Sequence, residues 1–275
     1  MAKIKPIQKL GWFSTGRDKA ARDLLTVAQR SIALGEIRAE IAFVFCNREP
    51  GESKQSDLFH RLVKSYGLTL ITFSSSNFKA ERGEGWRPAY DSEVMKRLKE
   101  FDADLSVLAG YMLIVGEEMC RKYDMINLHP AAPGGPKGSW QEVIWQLIET
   151  KAKETGVMMH LVTHQLDEGP PVAYCTFSIR GEPFDRYWLE IDGQSLEEIK
   201  QSQGESNRLF KLIRKHGLAR EFPLIIATLK TFSRGKVRIR KGKVVGADDR
   251  KIKGYNLTRD INKLLKKDKG VKPDF

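Results

Sequence analysis

The chain has 275 residues, of which 41% are hydrophobic and 30% charged, and its formal net charge is +12. Such a composition suits one large buried core and excludes a disordered chain, while the longest apolar runs, AEIAFVFC and DLSVLAGYMLIV, fall short of the roughly 18 to 20 residues that cross a bilayer. Cys46, Cys120 and Cys175 are odd in number and lack CxxC spacing, which argues against a disulfide framework and a zinc site, so no metal is expected. The opening MAKIKPIQKLGWFSTG has lysines but no continuous apolar stretch before a small-residue cleavage site, so a secretory signal is not expected and cytoplasm is the expected compartment. The charge is uneven: residues 236–275 hold 14 Lys+Arg against 5 Asp+Glu, so most of the excess lies in a C-terminal stretch and the body is close to balanced.

In chain order, IQKLGWFST (7–15) reads as a strand and RDKAARDLLTVAQRSIALG (17–35) as a helix that Gly35 stops. AEIAFVFCN (39–47) is a second strand, SDLFHRLVKSYG (56–67) a helix capped at Ser56 and ended at Gly67, and LTLITFS (68–74) a third strand. A polar loop leads to PAYDSEVMKRLKEF (88–101), a helix with proline in its first turn, then to strands ADLSVLAGY (103–111) and DMINLHP (124–130). This alternation of short Val/Ile/Leu/Phe-rich runs with amphipathic segments predicts an α/β, Rossmann-like fold, a mostly parallel central sheet flanked by helices. Ligands bind such sheets at the strand C-termini, here Ser14–Arg17, Asn47–Arg48, Gly110–Met112 and Asn127–His129. Farther on, SWQEVIWQLIETKAKETG (139–156) reads as a helix, and VMMHLVTHQLD (157–167) and PPVAYCTFSI (170–179) as an antiparallel strand pair. Helices follow at 195–217, broken near Gly204, and at 223–235; then come a hairpin at 236–249 and a short basic helix with a frayed end at 257–275. The expected organisation is a domain over 1–246 and a basic C-terminal tail or extension over 247–275.

Asn127, His129 and Asp167 carry the candidate chemistry. An amide, an imidazole and a carboxylate together polarise a carbonyl, move protons near neutral pH and orient the histidine, an acyl-transfer set that needs no side-chain nucleophile. Taken alone, NLHP also reads as a strand end whose polar groups meet backbone, and LDEGPP as a hairpin turn. His160, in mid-strand, reads as a structural histidine and His164 as a loop residue.

The order of the pieces goes further. VLAGYM, then INLHP, a Gly/Pro loop and a helix, then TGVMMHLVTHQLDEGP, resembles the folate-dependent formyltransferases, most closely the branch that formylates glycinamide ribonucleotide. FCNRE, PAYDSEVMKRLKEFDADLSVLAGYM and EFPLIIATLKTFSRGKV extend the likeness over most of residues 7–246. The resemblance implies formyl transfer from 10-formyltetrahydrofolate to a substrate amine, leading with glycinamide ribonucleotide in purine biosynthesis. It implies that Asn127 donates to the formyl oxygen, that His129 assists as a charged donor or proton shuttle, and that Asp167 holds His129 and helps deprotonate the amine. It further implies that the donor lies against Met112, Leu113, Val115, Thr163, Leu166 and Asp167, and that the phosphorylated acceptor meets Gly16, Arg17, Gly110, Met112, Asn127 and Glu221.

Several features depart from that family. The Gly-rich first loop, which receives a phosphate on backbone N–H groups, is STGRDKAARDLL here, with Arg17 as a possible bidentate clamp. The Ser-Leu-Leu-Pro loop is AAPGGPKGSW, Leu113 replaces an arginine, and the late ribose-binding glutamate falls nearer Leu218 than Glu221. These changes are mostly on the acceptor side. They leave open a nucleotide sugar or aminoacyl-tRNA as acceptor, and formyltetrahydrofolate hydrolysis, although tRNA formyltransferases carry an appended barrel and the hydrolase a regulatory N-terminal domain that this chain is not expected to hold. The non-enzyme alternative is a nucleic-acid-binding protein with an inactive core, acting through its basic tail.

Overall fold

In β1 (Gln8–Ser14) every residue from Leu10 onward is buried; Leu10 and Trp12 belong to the core on one side of the sheet and Phe13 to the core on the other. A strand covered by helices on both faces requires that pattern. β1 pairs in parallel with β2 (Ala39–Cys46), and β2 with β3 (Leu70–Thr72). On its other side β1 pairs in parallel with β4 (Leu105–Leu108), and β4 with β5 (Met125–His129). β6 (Glu154–Leu161) then runs antiparallel to β5, and β7 (Pro171–Ser178) antiparallel to β6. A separate hairpin, β8 (Val237–Arg240) and β9 (Lys243–Gly246), precedes β10 (Tyr255–Asn256), which joins the free edge of β7 in parallel. The spatial order is β10-β7-β6-β5-β4-β1-β2-β3, the mostly parallel α/β sheet that the apolar runs predict. The computed structural model describes residues 7–268.

Helices cover both faces. α1 (Lys19–Ala33) lays Leu24, Leu25 and Ala28 on the Leu10/Trp12 side, next to α2 (Lys54–Ser65). On the Phe13 side lie α3 (Ser75–Arg82), α4 (Trp86–Arg97) and α5 (Glu117–Lys122), where Tyr90 and Val94 pack with Phe43 and Phe45. α6 (Trp140–Glu149), α7 (Asp185–Glu190) and α8 (Leu196–Ser202) form a third cluster around Phe210 at the start of α9 (Arg208–Ser233). Farther along, α9 places Leu224, Ile225 and Leu229 in the α1 layer.

Some boundaries differ from the sequence reading. The cap of α2 is Ser53, whose extended backbone lets its side chain accept from Gln55 N; Ser56 is buried inside the first turn and donates to the Ser53 carbonyl. The expected helix over 139–156 stops at Glu149, because Lys151 takes a positive φ of 48° and Glu154 already pairs with Ser178. The two helices expected around Pro223 are one, α9, which carries the proline in its interior; burial of Leu224, Ile225 and Leu229 outweighs the lost hydrogen bond. α3 lies in the expected polar loop, and α5 and α7 lie in stretches that the sequence reading left unassigned.

The 247–275 segment is described as far as Asp268. Beyond β10, Leu257, just before α10 (Thr258–Asp268), and Ile261 in its first turn are buried in the same core as α1 and α9, so this part packs on the body. The expected frayed end, 269–275, lies outside the described residues. Among the described residues, no helix is long and apolar enough to cross a membrane.

The strand order also locates the site. The chain runs from β1 to β2 and β3 on one side, then returns to β4 on the other, so the β1/β4 boundary is a topological switch point. Loops leaving neighbouring strands there diverge and open a crevice.

Candidate active site

Asn127 and His129, two apart on β5, face the same side of the sheet. The antiparallel register sets Asn127 opposite His160 on β6, with Asn127 Nδ2 3.2 Å from His160 Nε2. His160 Nδ1 lies 3.0 Å from the Leu161 carbonyl oxygen. A carbonyl only accepts, so Nδ1 carries a proton and Nε2 is left to accept from the Asn127 amide. His129 is anchored in the same way, its Nε2 donating to the Pro136 carbonyl at 2.9 Å. Its Nδ1 therefore becomes the basic nitrogen, and it faces Asp167 Oδ2 at 3.4 Å, while Asp167 Oδ1 stands 3.4 Å from His160 Nε2. One carboxylate thus stands between two imidazoles and bonds to either when the facing nitrogen takes a proton, and its side chain is 7% exposed.

Asp167 lies off the sheet, in the loop after β6, and takes a positive φ of 53°. A non-glycine residue held there is strained, and the surroundings must fix it. Gly138 N donates to Asp167 Oδ2 at 3.2 Å, and Lys137 donates to Glu168 Oε1 at 2.6 Å. The second pair is about half exposed and so worth under about 1 kcal/mol; the Gly138 and Pro136 contacts therefore do most to tie loop 130–138 to the carboxylate and the histidine. Gly169 ends the Asp167 loop beside β6, where a Cβ would stand 1.5 Å from the Leu161 carbonyl oxygen, so only glycine fits.

Electrostatics divide the roles. Burial pushes the His129 pKa down, more than the Pro136 carbonyl and the Asp167 charge push it up, and His160 adds to the lowering. For Asp167, burial acts upward, but His160 Nε2 and His129 when they carry a proton, with the Gly138 N–H, together outweigh it and hold the carboxyl below the usual range. Near neutral pH the cluster thus offers an ionised carboxylate, a largely neutral imidazole beside it, and an amide with a second N–H to give. Nucleophiles are not part of it. Burial pushes the Cys46 thiol up to about 12 and the Cys120 thiol up to about 11, and Ser139, on the cleft wall, is the N-cap of α6 with its hydroxyl bonded to Glu142.

A cleft of about 450 Å3 opens over the cluster. Of the residues singled out from the sequence, Arg17, Gly110, Met112, Leu113, Val115, Asn127, His129, Thr163, Leu166, Asp167 and Glu221 all line it. Gly16 does not; it packs on Phe59 of α2. Met112, Ile114 and Leu166 are about half exposed, at 48%, 54% and 51%, large apolar side chains of the kind that line a slot for a flat ligand. The same cleft is lined by Glu221, which is buried and ion-paired with Arg214 at 2.6 Å, and the Arg214 guanidinium lies 4.6 Å from the Trp140 ring centroid. The sequence reading missed Arg214 and marked Trp140 only as part of the altered loop; the packing of α6 on α9 brings the two together. It also gave His160 a purely structural role, whereas its Nε2 touches both Asn127 and Asp167. The α1 terminus, expected to take a phosphate, is occupied by the chain's own carboxylate: Asp18 Oδ1 accepts from Ala21 N at 3.0 Å.

Residues 14–182 match the family model described as Formyl transferase. Among curated proteins, the phosphoribosylglycinamide formyltransferase of Schizosaccharomyces pombe is 34% identical over 142 residues, 49% of this chain and 66% of that protein. That of Dictyostelium discoideum is 34% identical over 118 residues, 39% of this chain and 57% of that protein. The matched part therefore spans less than two thirds of either relative. In fold, the chain is similar to the phosphoribosylglycinamide formyltransferase structure from Coxiella burnetii, with a TM-score of 0.63 at 19% identity, covering 92% of this chain and 99% of that one.

Proposed function

The chain belongs to the formyl transferase family, and we propose that it moves a formyl group from 10-formyltetrahydrofolate to the amine of glycinamide ribonucleotide. The observation that carries this reading is the position of Asp167 between His129 and His160, with Asn127 beside it in the floor of the cleft. The donor brings an electrophilic formyl carbon and the acceptor its own amine, which accords with a site that has no serine or cysteine nucleophile. The free N–H of Asn127 meets the formyl oxygen as negative charge develops on it; an oxyanion donor of that kind is worth on the order of 10² to 10³ in rate. Asp167, held ionised, takes up the proton that the amine loses as the C–N bond forms. His129 shares that proton through Nδ1 and returns it to the folate nitrogen as the donor's own formyl C–N bond breaks, which releases tetrahydrofolate. Its lowered pKa and its Nε2–H bond to Pro136 favour the shuttle over the charged donor.

The donor fits the apolar side of the cleft, against Met112, Leu113, Val115, Thr163 and Leu166. The acceptor fits the polar side, near Arg17, Gly110 and Glu221. Because Asp18 caps α1, Arg17 and Arg214 are the cations left on the cleft wall for an acceptor phosphate. The names of the curated relatives support this acceptor.

The test is to incubate the protein with 10-formyltetrahydrofolate and each of several amines, following loss of the formyl group from the folate. Turnover with glycinamide ribonucleotide is the expected result. Turnover only with a nucleotide sugar or an aminoacyl-tRNA would move the acceptor assignment, release of formate to water would make the protein a hydrolase, and an unchanged donor under every condition would refute the reading.

A further inference from the structure

The stretch 109–116, which supplies the apolar wall of the cleft, contains no helix or strand. Irregular backbone has no ladder to satisfy its N–H and C=O groups, so neighbouring elements must hold it. At its start the frame is the end of β1: Thr15 N donates to Gly110 O at 3.0 Å, and Thr15 Oγ1 accepts from Met112 N at 2.9 Å. At its end the frame is α4. Asp91 Oδ2 accepts from Gly116 N at 2.7 Å, and Arg87 donates from one nitrogen both to the Ile114 carbonyl and to Asp91 Oδ1, the latter at 2.8 Å. The Tyr111 hydroxyl, buried under the same wall, lies in the field of Arg87.

Two properties set this pair apart from an ordinary i,i+4 helix contact. The Asp91 side chain is 4% exposed, and a carboxylate buried so deeply is costly unless its partners are well placed. Its partners are the wall backbone and an arginine that also grips that backbone. The fit is close, since a Cβ on Gly116 would stand 2.6 Å from Asp91 Oδ2. Neither Arg87 nor Asp91 lines the cleft; both stand behind it.

We infer that Arg87 and Asp91 form a latch that fixes the shape of the 110–116 wall, and that they are positioning residues for the folate donor, which they do not touch. The assignment of the ligand rests on the reading that this wall holds the donor; the latch itself does not. Loss of the latch weakens donor binding and spares the acceptor and the chemical step.

The test uses Asp91→Asn, Arg87→Lys and Gly116→Ala, with Glu93→Gln as a control elsewhere on α4, where Glu93 pairs with Lys96. Three quantities are measured on the whole protein: amide exchange of residues 110–116 without ligand, the dissociation constant of tetrahydrofolate, and kcat with the KM of each substrate. The latch variants should exchange faster in 110–116 and bind tetrahydrofolate about tenfold or more weakly, as loss of a charged hydrogen bond implies; kcat at saturating donor and acceptor KM should stay within about threefold of the parent. Glu93→Gln should match the parent throughout. Wild-type exchange in folded variants would overturn the latch, and so would equal losses for donor and acceptor. If Asp91→Asn fails to fold, Arg87→Lys and Gly116→Ala, which keep the carboxylate, decide. Should the parent protein not bind tetrahydrofolate, the cleft reading fails and the exchange measurement alone decides the latch.

Discussion

Asp167→Asn preserves the size of the side chain and removes its charge. Asparagine also tolerates the positive φ that position 167 adopts, so the loop should keep its course. The change acts on the interaction with the proton as it reaches His129 Nδ1, 3.4 Å from Asp167 Oδ2. Allowing for delocalisation, the charge centres stand about 4 Å apart, and at an effective dielectric of about 20 that pair is worth about 4 kcal/mol. At about 1.4 kcal/mol per decade, the rate should fall by about 10³, inside the range of about 10² to 10⁴ known for a general base. The KM values should move little, because the carboxylate acts on the proton in flight more than on the bound ground state. The assay is initial-rate donor deformylation with both substrates saturating, alongside circular dichroism and thermal melting. A folded Asp167→Asn protein with kcat within about tenfold of the parent would refute the base assignment.

Three further outcomes follow from the geometry. Asn127→Ala removes the one amide on the cluster floor, and kcat should fall on the order of 10² to 10³ with donor affinity nearly intact, as measured by single-turnover rates. Gly169→Ala should lower unfolding free energy by about 3 kcal/mol or more, since its Cβ has no space beside the Leu161 carbonyl oxygen; urea titration reads this directly, and a loss below about 1 kcal/mol would contradict it. His129 and His60 are both held below the ordinary histidine value, in each case chiefly by burial. The native state then binds fewer protons than the unfolded chain, so their contribution to stability is full above about pH 6.5 and is lost as pH falls toward the lowered values. Unfolding at about pH 7.5 and about pH 5.5 should show the lower stability at the acid pH, and equal or greater stability there would oppose it.

The parallel half of the sheet was legible because each strand is apolar on both faces: Leu10, Trp12 and Phe13, or Phe43, Val44 and Phe45, leave no other reading than a strand between two helical layers. Asn127, His129 and Asp167 were legible as residue types in a telling order. The remainder depends on contacts that no local pattern encodes. His160 meets Asn127 only through the antiparallel register of β5 and β6. Arg214 reaches Glu221, seven residues on, only because α9 runs unbroken through Gly217, where the sequence suggests a helix end, and it meets Trp140 only where α6 packs on α9. α5 and α7 have six residues each, too few for a helical period to emerge, and β10 has two, so its assignment to a sheet comes from the partner strand.

That partner strand gives the C-terminal segment a significance beyond its charge. β7 would be the outer rim of the sheet, with a row of unpaired amides and carbonyls, were Tyr255 and Asn256 not laid along it and Leu257 and Ile261 not seated on the core behind. An uncovered rim is a template for the next chain. Residues 255–261 thus act as a selvedge on the sheet. A protein shortened at residue 246 would be prone to self-association, and any change in its behaviour toward polyanions would confound lost cations with newly exposed backbone.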